Sequence, residues 1–297
     1  MDQENIYLAV AVDKHYMILL AALLKSIEVN HTTKEHIHVY IVENGVTAKY
    51  KAKLRDSISE QAVTLHWLTM GDAVPRGMAL PTDTNTYPPN IYMRLFIPYF
   101  VPEEVERVLY LDVDMVLMTD ISKLWSIDIE GSIIGAVTCP TARVFKNIVG
   151  NYKELGIPAE TKYFNSGLLL MDIPKWRRSN ITEKVIECID SNRKYADFSD
   201  QYGLNVVLFD KWHEIDPMWN YYSSGDHSAP YLIHFAHRKP FYKSYFGNTK
   251  YKRIFYTYLN QTRWRNSESV GELRRYMKKI GNILQKNPLL RPIKLWF

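Results

Sequence analysis

Two cysteines in 297 residues, Cys139 and Cys188, are too few and too far apart for a disulfide framework or a zinc set. No apolar run reaches the roughly 18 residues that a membrane-spanning helix needs, so no span is expected. The first residues, Met1-Asp2-Gln3-Glu4-Asn5, are acidic and polar. They lack a basic leader, which reads as a chain without a signal peptide. These absences make a reducing cytoplasm the expected location. No glycine-rich triphosphate loop follows the first apolar strand, which argues against a nucleotidyltransferase. Acidic residues are scarce only at the C-terminus. Residues 250–297 hold Glu268 and Glu272 against twelve Lys and Arg, a net +10, while the other 249 residues carry −5. The basic balance is thus a property of a tail, and no nucleic-acid partner is expected.

What the chain does contain is led by Asp112-Val113-Asp114. Val108 to Leu111 reads as a buried strand, and two carboxylates follow where it should end. Carboxylates there are costly to bury unless positive charge lies between them. A divalent cation meets that need with hard oxygen ligands, and open α/β sheets bind ligands at the carboxyl ends of their strands. Alone, the motif also fits a strand ending in two solvated aspartates, or the nucleophile strand of a haloacid-dehalogenase-like phosphatase. The phosphatase reading fails on order: its motif belongs on the first strand, whereas several strands precede this one and no late acidic pair follows.

Hydrophobic periodicity places strands at Ile6 to Val12, His36 to Val42 and Val63 to Leu68, with helices at His15 to Val29 and Thr47 to Gln61 between them. This alternation implies parallel pairing. Gly71 to Pro89 reads as a loop and Asn90 to Phe100 as a short helix. Beyond Asp112-Val113-Asp114, strands are expected at Ile133 to Thr138, Lys162 to Met171 and Tyr231 to Phe235. Helices are expected at Ile181 to Lys194 and Asp200 to Phe209.

Several short segments then line up in one order. They are Ala11-Val12-Asp13-Lys14-His15-Tyr16, Lys25-Ser26, Tyr92-Met93-Arg94-Leu95, Asp112-Val113-Asp114, Phe164-Asn165-Ser166-Gly167, Asp200-Gln201, His234-Phe235 and Lys239-Pro240-Phe241. Over residues 6–245 this set resembles glycosyltransferase family 8, the group that includes bacterial lipooligosaccharide α-galactosyltransferases and glycogenin. The resemblance implies an α/β GT-A fold, Rossmann-like, with a mixed, mostly parallel sheet and flanking helices. It also implies a UDP-galactose or UDP-glucose donor, a saccharide acceptor such as a surface glycan, and transfer with retention. Asp112, Asp114 and His234 would be the metal ligands. Two carboxylates and an imidazole suit Mn²⁺, with Mg²⁺ a weaker substitute. Lys239 would bind the diphosphate. Ala11, Asp13 and His15 would cradle uridine, with Lys25, Arg94 and Val113 near the donor. Asn165, Ser166 and Gly167 would line the sugar pocket. Asp200 would hold sugar hydroxyls, and Gln201 would lie under the anomeric carbon. The alternative is a non-catalytic module of the same fold that binds a UDP-sugar or glycan.

The chain departs from the family pattern at four places. His15 stands where many relatives have Asn, Cys139 where they often have Asp, and Tyr202 where they often have a further carboxylate. The run His234-Phe235-Ala236-His237-Arg238-Lys239-Pro240-Phe241 is one residue shorter than the common motif and lacks its glycine, so Arg238 could replace lost backbone contacts to the diphosphate. The tail follows a separate logic. Val270, Leu273, Met277, Ile280 and Leu284 recur at helical spacing opposite Arg274, Arg275, Lys278, Lys279 and Lys286, with Leu289, Leu290, Leu295, Trp296 and Phe297 beyond. Such a helix implies a catalytic domain at 1–249 and a membrane-association tail at 250–297, peripheral on the anionic inner face of the cytoplasmic membrane.

Overall fold

The computed structural model describes residues 5–81 and 88–273, with 276, 277, 280 and 281 beyond them. Its first three strands are β1 (Asn5–Asp13), β2 (His36–Asn44) and β3 (Val63–Thr69). Next come β4 (Arg107–Leu111), β5 (Met115–Leu117), β6 (Ile134–Thr138) and β7 (Phe164–Asp172). The last three are β8 (Trp212–Glu214), β9 (Tyr221–Tyr222) and β10 (Leu232–His234). Seven of them form one sheet in the order β3-β2-β1-β4-β7-β6-β8, and β5-β10-β9 form a second.

The strands β3, β2, β1 and β4 run parallel, as the strand–helix alternation implies. β7 lies antiparallel between β4 and β6. β1 has β2 on one side and β4 on the other, so the chain reverses direction across the sheet at this point. A crevice opens beyond the strand ends there, the usual place for a ligand in an open α/β sheet.

Two apolar layers hold the sheet. On one face, helix α1 (Met17–Asn30) buries Leu20, Leu23, Leu24 and Ile27 against Leu8, Val10 and Val39. On the other, Trp176, Val185, Ile189 and Leu204 pack against Tyr110, Leu169 and Met171. Asp13 caps the single 3-10 turn (Lys14–Tyr16) that leads into α1, accepting Tyr16 N–H at 2.9 Å.

Three local readings change. Asn90 to Phe100 is a 3-10 stretch (Pro89–Phe96) leading into one α-turn (Ile97–Phe100), because Pro98 has no N–H to give the carbonyl four residues back. β8 and β9, at three and two residues, are too short to leave a periodic signal. The tail also divides differently from its charge. Helix Thr249–Leu259 buries Tyr251, Phe255 and Leu259 in the same layer as α1, and Asn30 Nδ2 donates to Tyr258 Oη at 2.9 Å. Trp264 is buried there too, so any separately acting tail begins after it. Of that tail's basic face, Arg274, Arg275, Lys278, Lys279 and Lys286 lie outside the described residues, as do Leu284, Leu289, Leu290, Leu295, Trp296 and Phe297.

The helices Ile181–Ser191 and Ser199–Leu208 approach closely at Gly203, where a Cβ would stand 2.8 Å from Ile189 Cγ1 and 2.9 Å from Val185 Cγ1. Gly203→Val is expected to cost about 1–3 kcal/mol, read as a lower urea midpoint. An unchanged midpoint would contradict this packing.

Candidate active site

Three segments bring the first cluster together. Asp112 follows directly on β4, its N–H donating to Gly167 O at 2.8 Å and so extending the pairing with β7. Asp114 follows the turn and leads straight into β5. β5 pairs antiparallel with β10 and sets Met115 opposite His234, while Phe235 N–H donates to Asp114 O at 2.9 Å. One ligand atom from each of Asp112, Asp114 and His234 lies within 4.8 Å of the others. Gly167 makes room for them. A Cβ there would stand 2.7 Å from Asp112 Oδ2 and 2.9 Å from His234 Cε1, so the position tolerates no side chain while the cluster keeps its shape.

The imidazole is oriented by a relay. Asn220 Nδ2 donates to Asn165 Oδ1 at 2.8 Å, which turns Asn220 Oδ1 toward His234 Nδ1 at 2.7 Å. A carbonyl only accepts, so Nδ1 carries a proton and Nε2 is the atom turned to Asp114 Oδ1, at 3.3 Å. Two carboxylates and an imidazole converging in this way are a fitting donor set for a divalent cation.

Arg94 organises the second cluster. Its guanidinium reaches Asp112 Oδ1 at 3.0 Å and Asp200 Oδ2 at 3.1 Å, and donates to Ser166 Oγ at 3.0 Å and to Ser166 O. Gln201 Oε1 accepts from Asn165 Nδ2 at 2.9 Å and from Ser166 N–H at 3.0 Å. Both clusters line one cavity of about 660 Å³, together with Ala11, Val113 and Lys239.

The electrostatics follow from burial. Burial pushes the Asp114 carboxyl up, but the Lys239 ammonium, in contact with Asp114 Oδ2, and His234 outweigh it and hold the group below the ordinary carboxylate range. Asp200 goes the other way: burial raises it further than Arg94 can lower it.

Not every candidate meets the cavity. Lys25 pairs with Glu28 along α1, away from the cavity lining. Its neighbour Ser26 takes Leu117 N–H at 2.9 Å and ties α1 to β5. Asp13 caps its 3-10 turn, and His15 Nε2 meets Tyr242 Oη at 2.7 Å beside the cavity wall. Tyr202 turns away, donating to Asn151 Oδ1 at 3.1 Å, whereas Cys139 lines the cavity next to Thr141 and Tyr222. Arg238 is directed to Glu272 and not into the cleft's carboxylates.

Among the cavity residues that escaped sequence reasoning are Tyr110 and Asn90. Tyr110 Oη donates to Asp112 Oδ1 at 2.8 Å, yet it reads only as one more apolar strand residue. Asn90 is buried in the cavity wall, and its Oδ1 has no partner among the described residues. Asn220, which does not line the cavity, was missed as well, because its relay crosses 55 residues in sequence.

The chain matches the profile of glycosyl transferase family 8 over residues 7–250. It belongs to that family. General stress protein A of Bacillus subtilis (strain 168) is 26% identical over 293 residues, covering 88% of this chain and 95% of that one. Glycosyltransferase GlyF of Streptococcus pneumoniae is 30% identical over 167 residues, which are 51% of this chain and 38% of GlyF. Among solved structures, the galactosyltransferase LgtC in complex with donor and acceptor sugar analogues superposes with a TM-score of 0.70 at 19% identity, covering 86% of this chain and 96% of LgtC. The apo bifunctional glycosyltransferase WbbM gives 0.73 at 18% identity, over 94% of this chain and 52% of WbbM. At these identities the likeness is one of fold, and the fold is GT-A.

The relay makes a direct claim. If the cluster holds a divalent cation, Asn220→Ala is expected to weaken its binding about 10–100-fold in isothermal titration, because the imidazole loses its fixed tautomer and orientation. Wild-type affinity in this variant would rule the relay out.

Proposed function

We propose that this family member is a metal-dependent retaining hexosyltransferase that moves galactose or glucose from a UDP-hexose to a saccharide acceptor, such as a growing surface glycan. The observation that carries the reading is the meeting of Asp112, Asp114 and His234 on one cavity wall, with Lys239 beside them and Asp200 and Gln201 across from them. Asp112, Asp114 and His234 would hold Mn²⁺, with Mg²⁺ a weaker substitute. When bound, the cation supplies Lewis-acid neutralisation of the departing diphosphate. Lys239 adds a second positive charge at the leaving group, and Ala11, Val113 and Arg94 stand around the nucleotide-sugar.

The geometry around the sugar favours substitution on one face. Gln201 is an amide whose carbonyl is already taken by Asn165 and Ser166, so it is a hydrogen-bonding surface and a poor nucleophile. Asp200 is tied to Arg94 and Ser166 and would receive sugar hydroxyls. In this reading the acceptor oxygen bonds to the anomeric carbon as the carbon–phosphate-oxygen bond breaks. The acceptor's proton passes to the departing oxygen on the same face.

A panel of UDP-sugars, read by released UDP, is expected to show turnover with UDP-galactose or UDP-glucose. Asp112→Ala and Asp114→Ala are expected to lose about a hundred-fold or more. NMR of the initial product is expected to show an α linkage from the α-linked donor, and a β linkage would overturn the retaining assignment. Tight UDP binding with no hydrolysis and no transfer on any donor would leave a non-catalytic binding module.

Membrane association is a second part of the proposal. No helix among the described residues is long and apolar enough to cross a membrane. Leu273 and Ile280 are exposed, in a segment whose sequence alternates apolar and basic residues. A chain ending at Leu273 is expected to lose most of its binding to anionic liposomes while keeping UDP-hexose hydrolysis within a few-fold. Full-length binding should weaken with salt over a Debye length of about 8 Å. Undiminished liposome binding after truncation would sink the anchor.

A further inference from the structure

The family match ends at residue 250, but the chain beyond it returns to the turn beside the cavity. Val270 N–H donates to Phe241 O at 2.8 Å, and Lys243 N–H donates to Val270 O at 3.0 Å, a short parallel bridge between Tyr242 and Val270. Two residues further on, Glu272 accepts Arg238 Nη1 on both carboxylate oxygens, at 2.8 and 3.0 Å, and also accepts Ser244 Oγ. Arg238 and Ser244 bracket the turn that contains Lys239. Lys239 itself reaches inward to Asp114 and is steadied by donating to Phe235 O at 2.9 Å and Ala236 O at 3.3 Å.

The turn from Phe235 to Ser244 contains no glycine, and a segment outside it holds it in place. An Arg–Glu pair this exposed contributes little alone, with side chains 24% and 37% accessible. Its effect comes from combination: one carboxylate joins both ends of a turn that two backbone hydrogen bonds already register against residue 270. On the nucleotide side, His15 Nε2 holds Tyr242 Oη at 2.7 Å, so the turn is fastened from both flanks.

We propose that Glu272 is a positioning residue: by tying Arg238 to Ser244 it sets where Lys239 stands over the Asp112–Asp114 pair, so that donor binding depends on a segment beyond the family's catalytic region. This rests on the reading that Lys239 receives the donor diphosphate. It also gives Arg238 a different job from contacting the diphosphate, since its guanidinium is spent on Glu272. Lys239 moves with the backbone carbonyls that hold it, and a displacement of about 1 Å at such a group is enough to change transition-state and diphosphate contacts substantially.

The test compares the full chain with Glu272→Ala, Arg238→Ala and the charge-swapped double variant Arg238→Glu with Glu272→Arg. UDP affinity is measured by calorimetry with Mn²⁺, donor KM and kcat by UDP release, and amide exchange at Lys243 and Val270 by mass spectrometry. Either single alanine variant is expected to weaken UDP about ten-fold and raise donor KM by a similar factor, with a smaller change in kcat. Exchange at Lys243 should rise in both, and the swap should recover much of the lost affinity. Wild-type UDP affinity in Glu272→Ala would overturn the proposal. Tighter UDP binding would also overturn it, showing that Glu272 withholds Arg238 from the diphosphate. If the full chain binds no UDP, the donor reading fails on its own. Exchange at Lys243 still decides the strap in that case, and an unchanged rate in Glu272→Ala refutes it.

Discussion

Three carboxylates, two of them buried, crowd one cavity, and the architecture of the site follows from the need to offset their charge. Asp112, Asp114 and Asp200 face Arg94 and Lys239, an excess of acid in a place where Coulomb energies are large. Arg94 cannot serve all three. It bridges Asp112 and Asp200, and Lys239 supplies the counter-charge for Asp114. The arrangement leaves the Asp112–Asp114 edge under-neutralised. In the proposed function a divalent cation would complete the balance there and leave Lys239 for the donor diphosphate.

The fold exists to deliver these groups to one point. β4 stops at Leu111, just before Asp112, the chain turns through Asp114, and β5 leaves the main sheet to start a second one whose β10 carries His234. Gly167 on β7 leaves the space, and Ser26 on α1 pins β5 in place from behind. The helix that starts at Ser199 projects Asp200 onto the Ser166 hydroxyl and Gln201 onto the Asn165 side chain and Ser166 N–H. The rigid parts are strands and helix starts, and the charged parts are short side chains on them, which keeps the geometry tight.

How much of this was legible depended on range. The parallel half of the sheet could be read because each strand of the first 70 residues carries its own apolar period and is separated from the next by a helix. The Asp112-Val113-Asp114 carboxylates stood out because they follow Val108 to Leu111 directly. Of the second sheet, β10 was legible within Tyr231 to Phe235, but β9 is too short to leave a period and its pairing with β10 could not be read. Lys25 looked functional by position, but Glu28 sits one helical turn away and local pairing wins. Tail charge hid a boundary: Lys250, Lys252 and Arg253 are basic, yet they sit on a helix whose other face carries Tyr251, Phe255 and Leu259 into the core. Arg238 and Glu272 are 34 residues apart, and nothing local announces their pairing.

The balance of charge makes one claim that separates it from a merely structural ion pair. If Lys239 is the stand-in counter-ion of Asp114 and also the diphosphate contact, removing it should act in opposite directions on the two ligands. Electron paramagnetic resonance of Mn²⁺, titrated into wild type and Lys239→Ala with and without UDP, measures both. The account predicts one Mn²⁺ per chain, bound by Lys239→Ala at least as tightly as by wild type when UDP is absent, with UDP affinity in the presence of Mn²⁺ falling about ten-fold or more. Weaker Mn²⁺ binding in Lys239→Ala without UDP, or unchanged UDP affinity with Mn²⁺, would contradict it.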